Sequence, residues 1–140
     1  MAIAQKAGAT EIASISAVDK PIDNLLGKQW LLTNNRGGYS SSTIIGCNTS
    51  KYHGLLIGSL NPPVNRIMAL ANCLETITVN GRTSNLSTFE FSNKFAPDGF
   101  QQIKRFRRDI GAHFDYQAKD FELTKSVYLS RDTDTVAVVY

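Results

Sequence analysis

The chain has 140 residues, which suits one domain able to bury about two-thirds of its unfolded surface. Its 42% hydrophobic and 19% charged content is globular and excludes disorder. The net charge of +3 is too mild to imply a nucleic-acid partner by itself.

Met1 to Val18 is rich in Ala, Ser and Ile without a clear period, and reads as a loose arm or an added strand. Asp19 to Gly27 has a helix-start residue, an early Pro and a closing Gly, so one or two helical turns are expected there. Trp30-Leu-Leu-Thr33, Tyr39 to Ile45 and Tyr52 to Leu60 read as three strands. The polar connections Asn34 to Gly38 and Gly46 to Lys51 join them. Asn61-Pro62-Pro63 interrupts the pattern, and Arg66 to Asn72 resumes it. Cys73 to Val79 and Arg82 to Leu86 flank Asn80-Gly81, a strong hairpin signal. Ser87 to Gly99 reads as a polar and aromatic loop. A meander follows over Phe100–Arg108, His113–Ala118, Phe121–Ser130 and Thr135–Tyr140. The last is β-branched and nearly all apolar, like a strand covered on both faces. Many short strands with almost no helix signal predict an all-β fold, an antiparallel β-sandwich. An arm with a short helical turn occupies residues 1–27, and the sandwich domain residues 28–140. The strand signal runs to Tyr140, so a fragment of a larger sandwich is expected, with self-association through the C-terminal strand.

Chemistry concentrates beside the first two connections. Trp30, Tyr39, Tyr52 and His53 stand among Asn34, Arg36, Asn48 and Lys51. Aromatic rings stack on sugar faces, and amides and cations match a polyhydroxyl edge. The competing reading makes the aromatics core and the Asn and Gly residues turns.

The order W-L-x-T-N-x-x-G-G-Y, then T-x-x-G-x-N-T-x-[RK]-Y-H-G-L-L, then P-P-x-x-R resembles the amino-terminal domain of bacterial and archaeal glycogen debranching enzymes, the amylo-α-1,6-glucosidase family. It is carried by Trp30, Leu31, Thr33, Asn34, Gly37, Gly38, Tyr39, Thr43, Gly46, Asn48, Thr49, Lys51, Tyr52, His53, Gly54, Leu55, Leu56, Pro62, Pro63 and Arg66. Asn35, Ser42 and Ser50 stand where the family usually has Gly, Gly and Arg. The resemblance covers nearly everything after about Lys28. It implies a supersandwich-like domain placed before a helical-toroid catalytic domain that carries the hydrolytic carboxylates, with an α-glucan, glycogen or maltooligosaccharide, as partner. Trp30, Asn34, Arg36, Tyr39, Asn48, Lys51, Tyr52 and His53 are the candidate substrate-binding or domain-junction residues.

No carboxylate pair stands out for glycoside hydrolysis, so no catalytic residue is nominated. His53 reads as a binding or positioning group, and His113 as solvent-facing. Two histidines with the separated Cys47 and Cys73 make no metal spacing or disulfide framework. Reduced thiols, no metal and no cofactor are therefore expected. Lys104-Arg-Phe-Arg-Arg108 is the one basic run, read as a solvated edge or domain junction, with a nucleic-acid module as a weaker rival. A stand-alone carbohydrate-binding module is the other rival. No run reaches membrane-spanning length and Met1 to Lys6 makes no secretory signal, so no membrane partner and a cytoplasmic location are expected.

Overall fold

The computed structural model describes residue 11, residues 13–92 and residues 94–140. Residues 1–10 and 12 of the expected arm fall outside these, and β1 (Ala13–Ser16) is an added strand. The one α-helix among the described residues, α1 (Ile22–Leu26), follows Pro21 and buries Leu25. The next block builds a four-stranded antiparallel sheet in sequence order from β2 (Gln29–Thr33), β3 (Tyr39–Thr43), β4 (Gly54–Asn61) and β5 (Val64–Leu70). The third strand starts at Gly54, so Tyr52 and His53 lie before it rather than in it. Pro62-Pro63 makes the tight link between β4 and β5, pairing Asn61 with Val64.

The hairpin at Asn80-Gly81 forms from β6 (Thr76–Val79) and β7 (Arg82–Asn85). Both turn residues adopt positive φ, 51° and 76°, as the short primed turn requires. Where the sequence reads as a loop, β8 (Thr88–Phe91) and β9 (Lys94–Asp98) make another hairpin. Phe95 and Phe100 pack edge to face there, so aromatic contacts outweigh the polar composition. A 3-10 turn over Gly99–Gln102 then shortens the expected next strand to β10 (Ile103–Arg108).

The second large sheet has the order β1, β10, β11 (Ala112–Gln117), β12 (Glu122–Leu129) and β13 (Val136–Val139). Two expectations change with this order. The basic run lies inside the sheet, between β1 and β11, rather than at an edge. The last strand is the edge and alternates half-buried and exposed, so it is not covered on both faces.

The two large sheets face each other through one core. Trp30 and Leu32 project inward from β2, meeting Phe106, Phe114, Tyr116 and Val127 from the other sheet. The Trp30 ring lies 6.5 Å from Phe106 and 6.1 Å from Phe114, and its Nε1–H donates to the Thr43 carbonyl at 3.1 Å. The fold is thus an all-β antiparallel sandwich. No helix among the described residues is long and apolar enough to cross a membrane. Cys47 is buried, Cys73 half-buried, and both are free thiols.

Candidate functional site

The connection from Asn34 to Gly38 is a clamp onto the turn before β13. Asn34 Oδ1 accepts the backbone N–H groups of Arg36 and Gly38, holding the turn closed. Its Nδ2 donates to the Thr133 carbonyl and to Asp134 Oδ1, both at 3.2 Å. Arg36 Nε reaches Asp134 Oδ2 at 3.1 Å. The hydrogen bond from Arg36 holds the Asp134 carboxyl below the usual carboxylate range. Gly38 leaves room for this: a Cβ there would lie 2.9 Å from Asp134 Oδ1 and 2.8 Å from the Ile57 carbonyl oxygen. Gly37 has φ +84° and passes beside Pro63, and its carbonyl accepts from Arg66 Nε at 2.6 Å. Asn35, at a usual glycine position, is absent from the residues with positive φ and donates instead to Asp132 at 2.8 Å.

Beside this clamp the outer face of the four-stranded sheet forms a groove of about 440 Å³. Cross-strand pairing puts Leu31 opposite Ser41, Tyr39 opposite Ile57, and Ile57 opposite Met68 on that face. Leu31 is 53% exposed, and Tyr52 rises from the preceding turn at 63%. Arg66 closes one side. Gly54 lets the Ile57 side chain pack close over the strand, since a Cβ would stand 2.7 Å from Ile57 Cδ1. An apolar outward face is unusual for a sheet already packed on its other side.

His53 lines the groove but is itself 3% exposed. Its Nδ1 accepts the Thr49 N–H at 3.1 Å, so the proton of the neutral ring sits on Nε2. That Nε2–H has no partner among the described residues. Burial pushes the imidazole pKa below its ordinary value, favouring the neutral form.

The eight candidates therefore separate. Asn34, Tyr39, Tyr52 and His53 line the groove. Trp30 is corrected to the core: at 5% exposure, with its indole N–H already satisfied, it cannot present a face to a sugar. Arg36 serves the clamp on Asp134. Asn48 donates to the Ala71 carbonyl and accepts from Ser42, which ties two connections together. Lys51 is exposed, its Nζ 5.1 Å from the Tyr52 ring centroid. Leu31 and Arg66, part of the resemblance but not among the eight candidates, also line the groove. The signal for Leu31 lay in strand alternation, which puts it opposite in facing to Trp30 and Leu32.

A family model described as glycogen debranching enzyme N terminal matches residues 28–140, well over half of the chain. The chain belongs to this family. Comparisons with curated proteins and with solved structures return no match.

Elsewhere in this debranching-enzyme domain several carboxylates have partners of their own. Asp115 takes Arg107 at 2.7 and 2.8 Å, Arg105 at 2.9 Å and Thr124 at 2.9 Å. Asp120 takes Arg82 at 3.0 Å. Arg105 and Arg107 are thereby paired within the basic run, and Arg108 binds the carbonyls of Leu31 and Asp109. His113 is not solvent-facing: it is 5% exposed, with Nδ1 2.9 Å from Ser126 Oγ and Nε2 2.7 Å from Asp109 Oδ1. Lys125, unremarked in the sequence, is a buried lysine 2.6 Å from Glu75. Among the described residues no three His, Cys, Asp or Glu side chains gather as a metal site.

Proposed function

We propose that this chain is a non-catalytic N-terminal β-sandwich domain of a glycogen debranching enzyme-like protein. In this reading it supports glucan binding and a helical-toroid catalytic domain during hydrolysis of α-1,6-glucosidic branches, in cytoplasmic glycogen catabolism. The observation that carries the reading is the groove on the outward face of the four-stranded sheet, which Leu31, Tyr39, Tyr52 and Arg66 line together with the buried imidazole of His53. Such a face asks for an occupant with both apolar and hydrogen-bonding surface, and a glucan has both. No carboxylate lines the groove among the described residues, and Asp134, Asp120, Asp115 and Glu75 are each held by a cation, which supports a domain that does not itself cleave.

Calorimetry of the chain with a branched limit dextrin, together with an assay for released glucose, tests this. Dextrin binding without glucose release is the expected outcome. No binding at millimolar dextrin overturns the glucan role. Glucose release abolished by changing one carboxylate overturns the non-catalytic role.

A further inference from the structure

The outward groove could receive either a glucan or another protein domain, and the state of His53 distinguishes them. We infer that the groove is a saccharide subsite in which His53 donates its Nε2–H to an oxygen of a glucosyl unit, with the Tyr52 ring against the apolar sugar face. This rests on the glucan half of the proposed function.

Three observations converge on it. First, the tautomer is set from inside the protein, because the Thr49 N–H occupies Nδ1 at 3.1 Å. The imidazole therefore presents a donor rather than an acceptor on its other side. Second, that donor is buried and unpartnered among the described residues, a costly condition that an incoming acceptor oxygen relieves. Third, the lining has the two surfaces that a pyranose needs. Leu31 and Tyr52 offer exposed apolar area, while Tyr39 and Arg66 bring polar groups to the same groove. Nε2 is covered by protein atoms, so a neighbouring group has to move for a sugar oxygen to reach it. Neutral oxygen acceptors suit a neutral N–H donor. An anion is not needed, and Arg66 already donates its Nε–H to the Gly37 carbonyl.

Two replacements separate the ring nitrogens. His53→Asn retains an acceptor near the Nδ1 position for the Thr49 N–H but removes the outer donor. His53→Gln places an amide N–H near the Nε2 position. Maltoheptaose binding is measured by calorimetry on the parent chain and both variants, each checked by thermal melting. The expected result is a loss of about tenfold or more in affinity for His53→Asn, with a cooperative melting transition retained in both variants, and recovery to within a few-fold for His53→Gln. Equal affinity of parent and His53→Asn overturns the subsite while leaving the domain's glucan role standing. Equal losses in both variants overturn the donor role. If the parent chain does not bind maltoheptaose, the glucan reading and this inference fall together.

Discussion

The buried pair of Lys125 and Glu75 invites the sharpest stability experiment. Lys125 lies on the inward side of β12, two residues from both Leu123 and Val127. The two side chains are only 6% and 10% exposed, and Nζ stands 2.6 Å from Oε1. Glu75 also accepts from Ser87 at 3.2 Å and from the Tyr140 hydroxyl. Lys125→Met keeps most of the aliphatic stem but leaves the carboxylate buried without its cation. Breaking such a pair from one side costs about 3–5 kcal/mol. At about 4 °C per kcal/mol for a domain of this size, the melting temperature should fall by about 12–20 °C. Lys125→Met combined with Glu75→Gln removes both charges while leaving an amide for Ser87 and Tyr140, so it should regain much of that loss. Urea unfolding, followed by circular dichroism and Trp30 fluorescence, measures all four corners of the cycle. A Lys125→Met chain within about 0.5 kcal/mol of the parent, or strictly additive losses, would refute the reasoning.

Trp30→Ala should cost about 3–5 kcal/mol in the same urea assay because it empties the core between Phe106 and Phe114. Tyr52→Ala should stay within about 0.5 kcal/mol of the parent while weakening maltoheptaose binding, since the ring is exposed. The Arg107 hydrogen bonds, against opposing burial, hold the Asp115 carboxyl well below the usual carboxylate range. Its contribution is therefore present above the unfolded carboxylate pKa and lost as pH falls through the folded one. The stability advantage of the parent over Asp115→Asn should shrink below about pH 4, and a pH-independent difference in urea midpoints would contradict the linkage. Finally, β13 is a sheet edge with Val139 half exposed, so light scattering should detect concentration-dependent self-association that Val139→Lys reduces. Val138, packed toward the core, should instead unfold the chain when changed to Lys. A monomer at every accessible concentration would remove the edge-pairing idea.

What the sequence by itself determined is local in origin. Asn80-Gly81 names its own turn because those residues accept positive φ, and the alternation through Trp30, Leu31 and Leu32 assigns opposite faces of β2 before any partner is known. The many short alternating segments likewise specify a sandwich, and the spacing from Trp30 to Arg66 specifies the family. What the tertiary structure decided is which of these side chains meet. Arg36 and Asn34 resemble ligand contacts in sequence, but Asp134, 98 and 100 residues further along, engages both. Trp30 and Tyr52 are equally aromatic, yet one fills the space between two sheets and the other stands on a turn. His113 reads as solvent-facing until Asp109 and Ser126 are brought to it, and the partner of Lys125 is not evident until Glu75 arrives from 50 residues earlier. Backbone preference depends on a residue and its immediate neighbours, whereas burial and ion pairing depend on chain segments far apart in sequence. For that reason the strands and turns were largely legible in the sequence, while the unpartnered His53 donor at the groove came into view only with the fold.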